Sequence, residues 1–191
     1  FSKIHNTGEN KRIKVLKDLR NLPQDIKKCV KYCDEIIKKE KITNIFHKNN
    51  SMFVLGKGQC EATAKEGSLK IKEISYYHAE GYSGSSLKHG PFALLEKDFP
   101  VILIAPNDKH YSKMKSVYQE IKSREASILL ITDNKSCKID NYSKTIVIPS
   151  NDTFSSLLSI IPLQLLAYHL SVERGINPDF PKNLAKSVVV D

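Results

Sequence analysis

The run 100–106, PVILIAP, holds five apolar residues closed at each end by proline. A strand that is apolar at every position has no face to offer water, so it belongs inside a sheet covered on both sides. The runs 51–56 (SMFVLG), 127–132 (SILLIT) and 145–149 (TIVIP) share this character, and 77–82 (YHAEGY) reads as a further short strand. Helical stretches lie between them. Strands alternating with helices form βαβ units, which predicts a mostly parallel sheet with helices on both faces. At 191 residues, the chain has room for one such domain with a sizeable core. No internal repeat is visible.

From 11 to 46, Leu16, Leu19, Leu22, Ile26, Val30, Cys33, Ile36 and Ile37 recur every three to four residues. Pro23 suits the first position of a helix, so a break is expected at Asn21 or Leu22. Residues 1–10 form a polar lead-in, 83–86 a hydroxyl-rich loop and 88–96 a short helix. The segment 108–125 is amphipathic, with Met114, Val117 and Ile121 facing inward. A long apolar helix is expected over 153–174, capped by Asp152 and stopped by Gly175. Pro162 within it implies a kink or a late start. His169 there reads as a packed histidine. The tail 177–191 has two prolines and no helical period, and apolar residues near its end predict that it packs back on the body.

Composition narrows the function classes. The formal charge is +9, with 40% apolar and 27% charged residues. Residues 1–50 carry 13 Lys/Arg against 6 Asp/Glu, whereas 51–191 carry 17 against 15. The excess lies on the leading helical stretch, interleaved with acids and without an aromatic platform, which favours a solvated basic helix over a nucleic-acid site across 11–48. No uninterrupted apolar run approaches the about eighteen residues of a membrane span. Four cysteines, Cys29, Cys33, Cys60 and Cys137, are too few for a disulfide scaffold and read as reduced thiols. Cys29 and Cys33 stand one helical turn apart, but nothing near them completes a metal site. The chain opens on Phe1 with no signal-peptide pattern, which predicts a piece of a longer, cytoplasmic protein.

Chemistry concentrates in 66–91, EGSLKIKEISYYHAEGYSGSSLKHGP. Glu66, Lys70 and Glu73 fall at i, i+4 and i+7, one stripe of a helix, with Leu69, Ile71, Ile74 and Tyr77 expected on the packed face. His89 follows sixteen residues after Glu73, beside Lys88 and the Gly90-Pro91 turn. A carboxylate, a cation and a histidine within one strand's reach suit acid–base chemistry on a small polar molecule. Spacing alone favours the plainer alternative, a solvated helix face followed by a surface loop. The turn 56–59, GKGQ, joins a strand to a helix N-terminus and could receive an anion, although it matches no phosphate-binding motif.

The stretches LGKGQCEATAKEGSLKIKEISYYHAEGYSGSSLKHGP, PVILIAPND, IPLQLLAYHLSVERG and NPDFPKNLAKSVVVD together resemble glutamine:fructose-6-phosphate amidotransferases, the glucosamine-6-phosphate synthase family. The resemblance is colinear from about Leu19 to Asp191. It implies a second sugar isomerase (SIS) domain: a three-layer αβα sandwich on a five-stranded parallel, flavodoxin-like sheet. The implied divisions are a lead-in over 1–20, the SIS body over 21–175 and a catalytic tail over 176–191. The family enzyme makes glucosamine 6-phosphate and glutamate from fructose 6-phosphate and glutamine, without metal or organic cofactor.

By this resemblance Glu73 is the isomerisation base, Lys70 a site lysine, and His89 a ring-opening histidine reached from the other subunit of a homodimer. Lys186 is implied as the Schiff-base lysine, with Ala185 beside it at the substrate and Glu66 as an acidic neighbour. The implied partners are fructose 6-phosphate or glucosamine 6-phosphate, together with a first SIS domain and a glutaminase domain in the same polypeptide. Neither nucleic acid nor membrane is implied. The hydroxyl-rich phosphate loop of the first SIS domain has no counterpart in GKGQ, and no cysteine here inherits the glutaminase nucleophile. Two further readings are a sensing or dimerising SIS module without catalysis and a basic nucleic-acid-binding domain. The presence of Glu73, His89 and Lys186 weighs against the sensing module.

Overall fold

Every residue of Pro100–Ile104 is buried, as a run without a polar face demands. This strand, β3, lies between β1 (Ser51–Gly56) and β4 (Ser127–Thr132). With β2 (His78–Ser83) and β5 (Ser143–Val147) they form one all-parallel sheet in the order β2-β1-β3-β4-β5. The computed structural model describes residues 8–137 and 143–184. Side chains alternate across the sheet. Met52, Val54, Ile102, Ile104, Leu129 and Ile131 face one core, while Phe53, Leu55, Val101, Leu103, Ile128 and Leu130 face the other.

The first face is covered by three helices, α1 (Glu9–Lys39), α2 (Gln59–Ser75) and α4 (Ser155–Glu173), with α4 packed against both others. The second face carries α3 (Tyr111–Lys122), whose Met114, Val117 and Ile121 point inward as expected, and the segment after β2. That segment is not the single short helix expected over 88–96. It makes two 3₁₀ turns, Leu87–His89 and Pro91–Leu94, separated by Gly90 at φ 133°.

Two helices hold a proline in their interior, and at Pro23 the expected break is absent. α1 runs unbroken through Pro23. An interior proline costs a helix about 3 kcal/mol, but Asn151 ties this turn to the body. Its amide donates to the Asp18 carbonyl at 3.1 Å and to the Asp25 carboxylate at 3.0 Å. α4 is likewise one helix. Pro162 lacks the N–H that the Leu158 carbonyl would accept, and the Cys29 thiol of α1 approaches that carbonyl at 3.7 Å instead. Cys33 in turn lies 3.7 Å from Cys29, sulfur to sulfur. This bond and burial push the Cys33 thiol's pKa up. All four cysteines are free.

Asp152 does not cap α4. Its carboxylate pairs with Lys14 at 2.6 Å, and Asn151 Oδ1 accepts the Phe154 N–H at 3.1 Å. His169 is buried and bonded to Asp34 at 2.8 Å, the packed histidine expected. By length and composition α4 is apolar enough to cross a membrane, yet here Leu158, Leu163, Leu166 and Leu170 are buried in the core. On α1 the inward face is Cys29, Cys33 and Ile37, while Leu16, Leu19 and Val30 of the expected stripe stand exposed.

Candidate active site

The helix that carries Glu66, Lys70 and Glu73 is seated by small residues. Its buried positions are Cys60, Thr63, Ala64, Gly67, Ser68, Ile71 and Ser75. A Cβ at Gly67 would fall 2.3 Å from Leu163 Cδ1, so α2 and α4 cross closely there. The expected inward face is therefore corrected in part, since Ile71 is fully buried as expected. Leu69 is 43% exposed, Ile74 is half-buried, and Tyr77 is buried just beyond the helix. The stripe of charge is as the spacing requires, and it faces away from α4's seat.

On that stripe Lys70 Nζ lies 2.7 Å from Glu73 Oε2 and 3.6 Å from Glu66 Oε1. Glu73 is the most sheltered of the three, its side chain 26% exposed against 35% for Lys70 and 50% for Glu66. The hydrogen bond from Lys70 to Glu73 raises the lysine pKa, with help from the charges of Glu73 and Glu66 and against desolvation. A lysine held protonated in this way is a fixed cation rather than a nucleophile. Glu73 retains a second carboxylate oxygen for a proton acceptor's work.

His89 is not brought to this group within the subunit. α2 descends antiparallel to the strands, so Glu73 stands near the start of β2, whereas His89 follows its far end. The six residues of β2 separate the two by roughly 20 Å. Within one copy of the chain, His89 therefore stands about one strand's length from the Lys70–Glu73 pair rather than beside it. His89 is exposed, its backbone N–H bonded to the Ser86 carbonyl at 3.0 Å. Ala185 and Lys186 lie outside the described residues.

The tail leading to them is informative up to Leu184. After Gly175 it turns on Asn177, whose carbonyl accepts the Phe180 N–H at 3.3 Å, and Phe180 is 82% exposed. It then meets Tyr76, the residue that closes α2. The Lys182 N–H donates to the Tyr76 hydroxyl at 2.7 Å, and Lys182 Nζ stands 4.5 Å from the ring centre. Neither residue stands out in the sequence, since nothing in SYYHAE or PKNLAK marks a contact across 106 positions.

The carboxyl ends of β1 and β3, where the strand order switches, are the usual ligand crevice of such sheets. Here the turn 56–59 packs on protein. Gly58 has φ 63°, and a Cβ there would meet His110 Nε2 at 2.6 Å. Lys57 Nζ is bonded to Ser85 Oγ at 2.5 Å. Cys60, behind the turn, has its thiol pushed up to about 12 by burial, then by Asp108 and Asp133. Among the described residues no group of three or more His, Cys, Asp or Glu side chains is placed to hold a metal ion.

Comparison with known proteins gives this arrangement a context. The family model of the SIS domain matches residues 45–174. The chain is 48% identical over 176 residues to the probable glutamine--fructose-6-phosphate aminotransferase [isomerizing] of Acanthamoeba polyphaga mimivirus, a match covering 91% of this chain and 28% of that protein. It is 43% identical over 185 residues to glutamine--fructose-6-phosphate aminotransferase [isomerizing] 1 of Rattus norvegicus, covering 96% of this chain and 27% of that one. Among solved structures, the C-terminal domain of glucosamine-fructose-6-phosphate aminotransferase from Francisella tularensis superposes with a TM-score of 0.80 at 32% identity, over 93% of this chain and 50% of that one. The chain thus spans less than a third of the length of the curated relatives it matches.

Proposed function

The chain belongs to the SIS-domain family, and from that membership we propose that it is the C-terminal isomerase part of an enzyme that makes glucosamine 6-phosphate and glutamate from fructose 6-phosphate and glutamine. The observation that carries the reading is the half-buried Lys70–Glu73 pair, on a chain whose relatives bear that activity in their names. The chemistry needs one proton to leave C1 of the sugar imine and return at C2. One carboxylate beside both carbons does both steps, and a fixed ammonium steadies the negative charge that develops between them.

In this reading the Lys186 amine adds to the C2 ketone with loss of water, which requires an uncharged lysine, and ammonia released from glutamine then displaces the lysine from C2 to leave the sugar imine. The charge on Lys70 unfits it for that step. His89 assists ring opening from the partner subunit of a homodimer, a role in keeping with its place at the far end of β2. Glu66 and Ala185 line the substrate. Residues 21–175 form the SIS body and 176–191 the catalytic tail, and a first SIS domain supplies the phosphate site that GKGQ lacks. The setting is cytoplasmic.

The test is product formation by the full polypeptide given fructose 6-phosphate and glutamine. Glucosamine 6-phosphate is expected, and it is expected to vanish in Lys186→Arg, which keeps the charge and loses imine formation. A polypeptide that binds the sugar phosphate yet never converts it would make this a sensing module instead.

A further inference from the structure

We propose that Tyr76 is a positioning residue: it tethers the C-terminal tail through Lys182, so that Lys186 is delivered to the Lys70–Glu73 pair. The inference rests on the isomerase reading above, and it adds a residue that makes no contact with the reacting atoms.

The geometry is economical. Tyr76 stands three positions after Glu73 and closes α2 in the left-handed conformation, φ 59° and ψ 21°. A bulky residue adopts that conformation at a cost, and such sites cluster where function demands them. Lys182 answers with two contacts to this one side chain, its N–H on the hydroxyl and its ammonium over the ring. Elsewhere between Asn177 and Leu184, Pro178 and Pro181 are half-buried and the other residues are exposed. Phe180 is 82% exposed and Leu184 53% exposed, and the hydrogen bonds of Phe180 and Asp179 return to Asn177 within the tail.

Reach then limits where the reacting lysine can be. Lys186 lies four residues beyond Lys182, and four extended residues span at most about 14 Å. Glu73 lies three helical residues before Tyr76, a rise of about 4.5 Å. A tail fastened at Tyr76 therefore allows Lys186 to reach Lys70 and Glu73, whereas a tail fastened only at Ile176, whose N–H and carbonyl are both bonded to Ser171, leaves ten residues of slack. Holding reactants at the right separation is worth large rate factors.

The experiment uses the full polypeptide and two variants. Tyr76→Gly suits the left-handed conformation, so the fold is kept while both contacts are lost. Tyr76→Phe keeps the ring and loses the hydroxyl. Two readouts are taken: hydrogen exchange of the peptide covering 177–184, and borohydride trapping of fructose 6-phosphate on Lys186, followed by mass. Tyr76→Gly is expected to speed exchange at Lys182 and to slow trapping and turnover by roughly tenfold, with Tyr76→Phe between it and the parent. Glutamine hydrolysis should be unchanged. Trapping at the parental rate in Tyr76→Gly, or unchanged exchange at Lys182, overturns the tether. A parent polypeptide that forms no glucosamine 6-phosphate overturns the isomerase reading itself, and this inference with it.

Discussion

Lys70 Nζ sits 2.7 Å from Glu73 Oε2 on the outward stripe of α2, and the carboxylate is the more sheltered of the two. The pairing raises the lysine pKa above its ordinary 10.5. For a raised pKa, the stabilisation is fully present below the unfolded value and fades as pH climbs through the folded one. Lys70 is thus charged throughout the neutral range. Lys70→Gln should lower turnover by about 10²- to 10³-fold, the scale of removing one electrostatic partner of a developing anion. Steady-state kinetics at neutral pH check this, and borohydride should leave Lys70 unlabelled.

The Cys29 thiol stands in for the N–H that Pro162 lacks at the Leu158 carbonyl. A double-mutant cycle isolates that relationship. Cys29→Ala should destabilise the protein, whereas in a Pro162→Ala background, where the helix recovers its own donor, the same change should cost about 1 kcal/mol less. Urea unfolding of the four proteins measures the coupling.

Asp34 joins α1 to α4 through His169 and also pairs with Lys38. Lys38 first, then His169, holds its carboxyl below the ordinary 3.8. A depressed carboxyl pKa stabilises the fold above the unfolded value, and that stabilisation is lost as pH falls through the folded one. Asp34→Asn should therefore melt lower than the parent near neutral pH, and the gap should close below about pH 4. Thermal melts across pH 3–7 follow the difference.

The sheet was legible because its strands advertise themselves: runs such as PVILI and ILLI have no polar side and admit only a doubly covered position. The buried face of α2 was not, because it packs through Gly67, Ala64 and Ser68, and close helix crossing leaves no apolar stripe to count. Proline misled at Pro23, where Asn151 from a distant part of the chain supplies hydrogen bonds that local rules do not anticipate, and at Pro162 Cys29 supplies a donor in the same way. Lys70 and Glu73 were readable from helical spacing. The separation of His89 from Glu73 depends on the direction in which α2 crosses back over the sheet, which spacing along the chain does not encode. The contact of Tyr76 with Lys182 joins two loops' ends and leaves no periodic trace.

The most direct test of the central claim is the rate of glucosamine 6-phosphate formation by the full polypeptide carrying Glu73→Gln, a change that keeps the side chain's shape and removes its basicity. A loss of about 10²- to 10⁴-fold is predicted, the usual worth of a general base, with glutamine hydrolysis preserved. Synthesis near the parental rate would contradict the account, because no proton could then be passing between C1 and C2 by way of Glu73.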